Sequence, residues 1–135
     1  MAKKRILIID DEMDIREIAR ISLEKLRGWE VIAASSGKAG LELAQAEQPD
    51  AILLDVMMPG WDGKETLKQL KGNPKTQHIP VIWLTAQVQT AHHSSAALGV
   101  KAVLIKPFDP IELPTQIEAA LDADDIDKDN EASIS

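Results

Sequence analysis

The stretch "AILLDVMMPGWDG", residues 51–63, is the part of the sequence that decides the fold. Four apolar residues run directly into Asp55, and a proline and two glycines follow in the same stretch. A short apolar run bounded by turn residues indicates a strand that is buried on both faces. No cation stands beside Asp55 in the sequence, so any cation that balances its carboxylate has to come from elsewhere in the fold.

The overall composition fits one domain of ordinary size, with 135 residues of which 44% are hydrophobic. The absence of cysteine excludes disulfide frameworks, thiolate chemistry and cysteine-ligated zinc. The basic residues 3–5 precede only four apolar residues, whereas a signal peptide needs about 7–15. No apolar stretch approaches membrane-spanning length. We therefore expect a cytoplasmic protein without a membrane partner.

The charge is distributed unevenly along the chain. The net charge is -7, and residues 122–135 contain six acidic residues and one basic residue, which leaves residues 1–121 close to neutral. Nucleic-acid binding requires a basic face, so we expect no direct nucleic-acid partner. We expect a folded domain over residues 1–121 and an acidic, disordered tail over residues 122–135.

Five short apolar runs alternate with segments of helical periodicity. This βα alternation predicts a parallel sheet covered on both sides by helices. With right-handed crossovers, the expected fold is α/β: a doubly wound, flavodoxin-like (βα)5 domain with strand order 2-1-3-4-5. The predicted strands are Ile6–Ile9, Val31–Ala34, Ala51–Leu54, Val81–Leu84 and Ala102–Ile105.

Capping patterns locate the helices between these strands. Asp14 and Asp62 are each followed three positions later by a glutamate, which is a capping-box pattern. A fourth helix is predicted within Gln87–Leu98, and Asp109 with the following proline predicts the start of the fifth. Pro114 then falls inside this last helix, where we expect it to distort the first turns.

Polar residues follow four of the predicted strands. In an open parallel sheet, ligands bind outside the carboxyl ends of the strands. In the order 2-1-3-4-5 these four ends are neighbours, so the fold is expected to gather their side chains into one pocket. The residues are Asp10 and Asp11 after strand one, Asp55 after strand three, Thr85 and Ala86 after strand four, and Lys106 and Pro107 after strand five.

Three carboxylates in one pocket repel each other and stay ionised only beside a cation. Ligands that are all oxygen favour magnesium or calcium over zinc or copper. Lys106 adds a second positive charge to the predicted pocket. Such a site suits phosphoryl transfer, a reaction that depends on positioning and charge neutralisation, and an aspartate can itself be the nucleophile.

Four motifs together resemble a response-regulator receiver domain, the phosphorylatable part of two-component signalling. They are "ILIIDDE" (6–12), "LLDVMMPGWDG" (53–63), "VIWLTA" (81–86) and "LIKPFDP" (104–110), and the resemblance spans residues 5 to about 121. The resemblance implies a single-domain response regulator that acts on a downstream protein target. Its phosphoryl donor would be a sensor histidine kinase or a phosphotransfer protein.

The resemblance also implies a role for each acidic residue of the pocket. Asp55 would accept the phosphoryl group. Asp11 and Asp55 would ligate Mg²⁺ directly, Asp10 would act through water, and the backbone carbonyl of Met57 would complete the protein ligands. Glu12 is given no ligand role.

The remaining pocket residues also have implied roles. Thr85 would turn its hydroxyl onto a phosphoryl oxygen, and the small Ala86 would leave room for that group. Lys106 would pair with the phosphoryl group, or with Asp55 before phosphorylation. The peptide bond between Lys106 and Pro107 would be cis.

One position departs from the family pattern. Receivers commonly carry a switch aromatic three residues before the pocket lysine, and here that position is Val103. Trp83 is the residue expected to fill the volume of that aromatic. Met57 and Gln87, which flank the pocket, are the positions expected to control the lifetime of the phosphorylated state.

Other function classes fit the sequence less well. A degenerate receiver that serves only as a docking module is the main alternative. A haloacid-dehalogenase-like phosphatase would need Asp-x-Asp on the first strand rather than the adjacent Asp10-Asp11. A flavodoxin-like cofactor site would need a phosphate-cradling loop after strand one, where the acidic "DDEMD" would repel a phosphate. We therefore expect no enzymatic activity beyond the domain's own phosphorylation and dephosphorylation.

Overall fold

A computed structural model describes residues 3–86 and 99–122 of the chain. Its strands form one five-stranded parallel sheet with the order β2-β1-β3-β4-β5, as predicted. The strands are β1 (Arg5–Ile9), β2 (Glu30–Ala34), β3 (Ala51–Asp55), β4 (Val81–Thr85) and β5 (Ala102–Ile105). The described helices are α1 (Met13–Arg27), α2 (Gly37–Glu47), α3 (Gly63–Lys71) and a last helix over residues 113–122.

Two hydrophobic cores lie on opposite faces of the sheet. Alternate residues of β1 point into different cores, as the period of two in a strand requires. Ile6 and Ile8 pack with α1 and the last helix, whereas Leu7 and Ile9 pack with α2 and α3. All four are fully buried, so β1 lies in the centre of the domain, and the predicted doubly wound α/β architecture is confirmed.

The strands differ in how far they are buried. All residues of β3 and β4 are buried, which agrees with a sheet covered on both sides. The outer strands β2 and β5 are partly exposed instead, because each has a neighbouring strand on one side only.

The capping predictions have different outcomes. Asp62 is the N-cap of α3, and its side chain accepts a hydrogen bond of 2.9 Å from the Glu65 N–H, as predicted. The predicted cap at Asp14 is wrong, since α1 begins at Met13 with Glu12 at the N-cap position. The reason lies in the preceding turn, where Asp10 Oδ1 accepts the Glu12 N–H at 2.9 Å and starts the helix earlier.

The last helix begins later than predicted. Asp109 caps a turn, in which its side chain accepts the Ile111 N–H at 2.8 Å, and helical structure starts at residue 113. Pro114 therefore lies in the first helical turn, where a missing N–H breaks no hydrogen bond. The expectation that Pro114 lies deep in the helix is therefore wrong, whereas residues 110–112 form a turn instead of helix, in agreement with the expected distortion of the first turns.

Two predicted segments cannot be compared with the structure. The fourth helix within Gln87–Leu98 lies outside the described residues, and so does the acidic tail after residue 122. None of the helices in the described parts of the chain has both the length and the apolar character needed to cross a bilayer.

Candidate functional site

The predicted site residues lie at one edge of the sheet. Asp10 follows β1, Asp55 ends β3, Thr85 ends β4 and Lys106 follows β5. Because the four strands are parallel neighbours, their carboxyl ends meet at this edge. Asp10 and Thr85 are fully buried and Asp55 is 3% exposed, so polar side chains lie at the end of an apolar core.

Four carboxylates come together in the pocket. Asp10, Asp11, Glu12 and Asp55 each offer an oxygen, and these oxygens lie within 4.8 Å of one another. The structure thus brings together the three predicted acidic residues and adds Glu12, to which no ligand role had been given. The sequence signal for Glu12 is its position directly after Asp10-Asp11.

Lys106 places a positive charge in this acidic cluster. Its ammonium lies 2.7 Å from Asp10 Oδ2, 3.2 Å from Asp55 Oδ1 and 3.5 Å from Glu12 Oε1, and its side chain is 10% exposed. The contact with Asp10 Oδ2 is an ion pair rather than a well-directed hydrogen bond. The cation missing from the sequence around Asp55 is therefore supplied by the loop after β5.

The protonation of Lys106 follows from these contacts. Burial by itself would lower the pKa of Lys106, but the contact with Asp10 and the charges of Asp10 and Asp55 outweigh it and raise the pKa above its ordinary value. The side chain is therefore charged at neutral pH.

Asp55 has an unusual proton affinity. Burial, followed by the charge of Asp10, raises the pKa of Asp55 to about 6, although Lys106 and the Met57 N–H act in the opposite direction. The Met57 N–H donates to Asp55 Oδ1 at 3.2 Å. A carboxylate held in this way is ionised above about pH 6 and is less stabilised by its surroundings than an exposed aspartate.

The residues present fit a hard divalent cation. The donors are all oxygens, and their summed negative charge exceeds the single charge of Lys106. Asp55 Oδ2 is also buried and has no hydrogen-bond partner among the described residues. A buried carboxylate oxygen without a partner is costly, and a bound cation would satisfy it.

The other predicted site residues lie at the same edge. The Thr85 carbonyl accepts the Lys106 N–H at 2.8 Å, which joins the ends of β4 and β5. Ala86 follows Thr85 and is exposed. The peptide bond between Lys106 and Pro107 is cis.

Trp83 and Val103 are neighbours across β4 and β5. They are paired in the register of the two strands, and both pack against the core on the side of α2 and α3. Trp83 is 2% exposed, and its buried Nε1 has no hydrogen-bond partner among the described residues. Trp83 is therefore a large interior side chain directly beside the position at which receivers commonly carry an aromatic.

The chain is similar in sequence to longer proteins that are named as transcriptional regulators. It is 39% identical over 120 residues to the probable transcriptional regulator ycf27 of Cyanophora paradoxa, a match covering 88% of this chain and 48% of that protein. It is 38% identical to the alkaline phosphatase synthesis transcriptional regulatory protein PhoP of Bacillus subtilis, covering 87% and 48%. The chain thus spans about half the length of these relatives.

Solved structures of similar proteins share the fold of this chain. The chemotaxis protein CheY4 of Vibrio cholerae superposes with a TM-score of 0.77 at 29% identity, covering 88% of this chain and 99% of that one. A putative response regulator from Chloroflexus aurantiacus superposes with a TM-score of 0.76 at 33% identity, covering 89% and 98%.

The family assignment rests on a match over most of the chain. The sequence model of the response regulator receiver domain matches residues 6–118. That range contains both segments of the acidic pocket and the loop that carries Lys106. The chain therefore belongs to the family of response regulator receiver domains.

Proposed function

We propose that this domain is a phosphorylation switch in which Asp55 accepts a phosphoryl group from a phosphohistidine. Receiver domains interact with histidine kinases, and the donor would be such a kinase or a phosphotransfer protein. The observation that carries the proposal is the state of Asp55. Its buried carboxylate contacts the Lys106 ammonium at 3.2 Å, and one of its oxygens has no hydrogen bond to any residue that the structure describes.

Receiver domains generally bind Mg²⁺ at an acidic pocket, and the oxygen cluster described above suits that ion. Asp11 and Asp55 would hold Mg²⁺ directly, together with the Met57 carbonyl, and Asp10 would hold it through water. When bound, Mg²⁺ would supply positive charge that offsets the negative charge of the incoming phosphoryl oxygens.

The residues of the chain account for the transfer step. An oxygen of the ionised Asp55 carboxylate forms a bond to phosphorus, and the phosphorus–nitrogen bond to the donor histidine breaks. The electron pair of that bond stays on the imidazole nitrogen, which takes up a proton. Lys106, already within 3.2 Å of Asp55, is placed to offset the charge that the phosphoryl group brings.

The switch would use the same pocket. Phosphorylation adds acceptor oxygens beside Thr85 and Lys106, and a change of state requires that one conformation binds these oxygens better than the other. Before phosphorylation, the Lys106 ammonium also contacts Asp10. If the ammonium moved to the phosphoryl group, this contact between the ends of β1 and β5 would weaken. The surface around β5 is the proposed output, despite the valine at position 103.

We further propose that the output is a contact with a downstream protein, without direct binding of nucleic acid or membrane and without enzymatic activity on other substrates. The net charge of -7 supports the exclusion of nucleic acid. Transcriptional regulation is named for the relatives, which are about twice as long as the matched region. The single-domain form is tested by the mass of the native polypeptide, which should be 14.8 kDa.

The intact mass of the protein tests phosphorylation directly. We expect one added phosphoryl group after incubation with Mg²⁺ and acetyl phosphate, and none in Asp55→Asn or without metal. Asp14→Asn, which changes an exposed aspartate in the first turn of α1, is the matched control and should still be phosphorylated.

Failure of wild type to gain mass would contradict the proposed phosphorylation. Beryllofluoride, a stable mimic of the phosphoryl group, then provides a second measurement through tryptophan fluorescence. No adduct and no fluorescence response would favour the alternative function, a docking module whose pocket is not used.

A further inference from the structure

The α2 helix lies against both segments that carry the proposed Mg²⁺ ligands. Two glycines on one side of the helix, Gly37 and Gly40, make this close approach possible. A Cβ atom at Gly40 would overlap the side chain of Ile9, the last residue of β1 before Asp10. A Cβ atom at Gly37 would overlap Thr66 Oγ1 and lie 3.1 Å from the Cβ of Trp61. The helix thus contacts the end of β1 and the loop between β3 and α3.

The two ends of that loop, residues 56–62, are held together by a hydrogen bond. The Gly63 N–H donates to the Val56 carbonyl at 2.8 Å, and a Cβ atom at Gly63 would lie 2.6 Å from the Asp55 carbonyl oxygen. Met58 is 8% exposed and packs in the core beside α2 and α3. Met57, whose carbonyl is a proposed ligand, therefore lies between two residues that are held in place, Asp55 and Met58.

Trp61 is the third residue that holds the loop in place. Its Cβ is close to the backbone of α2 at Gly37, and the ammonium of Lys38 is 5.6 Å from the centre of its indole ring. Thr66, which is also close to Gly37, is fully buried, and its hydroxyl donates to the Asp62 carbonyl at 2.8 Å. Since Thr66 is held in place, α2 cannot shift toward α3 without breaking this packing.

We propose that Trp61, held by Lys38 and by the close approach of Gly37, is a positioning residue for the Mg²⁺ site. It keeps the loop with the Met57 carbonyl fixed relative to the turn after β1, which carries Asp11. Ligands that are already in place lose less conformational freedom when the ion binds, so loosening the loop weakens binding. This inference rests on the proposed function, because it requires that the pocket binds Mg²⁺.

Removing the charge of Lys38 distinguishes a positioning role of this residue from a purely electrostatic one. If Lys38 acted only as a positive charge near an acidic pocket, its removal would strengthen the binding of Mg²⁺. If Lys38 acts by holding Trp61, its removal weakens binding. The two explanations predict opposite signs for Lys38→Gln, a change on an exposed side chain that leaves the buried packing untouched.

Isothermal titration calorimetry of Mg²⁺ into the full chain tests the inference. We expect binding by Trp61→Ala to be about 10-fold weaker than by wild type, the lower end of the range for residues that support metal ligands. Lys38→Gln should weaken binding about 2- to 5-fold, as expected for the loss of a cation–π contact. Trp61→Phe keeps an aromatic ring and should bind nearly as well as wild type.

Lys64→Gln is the matched control, since it removes an exposed lysine from the first turn of α3 and should leave the affinity unchanged. Wild-type affinity in both Lys38→Gln and Trp61→Ala, or tighter binding by Lys38→Gln, would overturn the inference while the proposed function stands. A wild-type protein that binds no Mg²⁺ would overturn the proposed function and this inference with it. Should Trp61→Ala fail to fold, Lys38→Gln still decides the question.

Discussion

The ammonium of Lys106 lies closer to Asp10, at 2.7 Å, than to the proposed phosphoacceptor Asp55, at 3.2 Å. The lysine is thus shared by two buried carboxylates, one directly after β1 and one at the end of β3. A phosphoryl group on Asp55 would have to draw Lys106 away from Asp10. A change of charge on Asp55 would therefore move an ammonium that joins the ends of β1, β3 and β5.

Replacing Lys106 by methionine should make the protein depend on the metal for its stability. Without the ammonium, Asp10 and Asp55 are left as buried carboxylates, and removing one partner of a buried ion pair typically costs about 3–5 kcal/mol. Mg²⁺ should then raise the free energy of unfolding more in Lys106→Met than in wild type. Urea denaturation with Mg²⁺ and with chelator measures both values. Lys64→Met is the control, and an equal gain in all three proteins would contradict the prediction.

The pH dependence of stability should reveal the raised pKa of Asp55. Because the pKa is about 6 in the folded state and 3.8 ordinarily, folding favours the protonated carboxyl. The contribution of the Asp55 carboxyl to the free energy of unfolding is complete below about pH 4 and is lost as the pH rises through 6. Asp55→Asn should therefore be more stable than wild type at pH 8 without metal, by at most about 3 kcal/mol.

Thermal or urea unfolding of both proteins from pH 4 to pH 8, in chelator, measures this difference. It should shrink toward zero at the acidic end. A difference that is constant over the whole range would show that the Asp55 carboxyl titrates normally in the folded protein.

The side chain of Met57 should affect the lifetime of the phosphorylated state. Met57 is 60% exposed and stands two positions after Asp55, so trimming it to alanine should open the pocket to water and speed hydrolysis severalfold. The rate at which phosphorylated protein loses mass, after removal of the donor, measures the effect. Met13→Ala changes a methionine that is 64% exposed and serves as the control. An unchanged rate would remove Met57 from consideration; Gln87, the other expected position, lies outside the described residues.

Gly63→Ala should destabilise the domain more than the same change at Gly72. A methyl group at position 63 would lie 2.6 Å from the Asp55 carbonyl oxygen and from Val56 Cα, both backbone atoms that cannot move aside. Overpacking of this kind typically costs about 1–3 kcal/mol. At Gly72 the nearest atom is 3.2 Å away and φ is -83°, so the cost should be small. Equal urea midpoints for the two variants would contradict this reading of the loop.

Much of the site could be predicted because strand ends in a parallel sheet converge. Asp10, Asp55, Thr85 and Lys106 are far apart in sequence, yet each follows or ends an apolar run, and the strand order makes them neighbours. The apolar runs themselves were readable from composition and length. The convergence of the pocket followed from topology, without knowledge of any side-chain contact.

Other features depend on distances that no sequence pattern encodes. Lys106 lies nearer to Asp10 than to Asp55, and Glu12 joins the acidic cluster, because of how the turn after β1 is closed by Asp10. The start of α1 was misplaced for the same reason. The contact of Trp61 with α2 depends on the close approach at Gly37, which a glycine permits but does not reveal.

The central position of β1 and β3 has a consequence for how the domain opens. Amide hydrogens of these strands should exchange with solvent only through global unfolding, because β1 and β3 have paired neighbours on both sides and buried residues on both faces. The edge strands β2 and β5 should exchange earlier, through local opening. A partner could thus remodel the outer strands while the floor of the proposed phosphorylation pocket stays in its native hydrogen bonds.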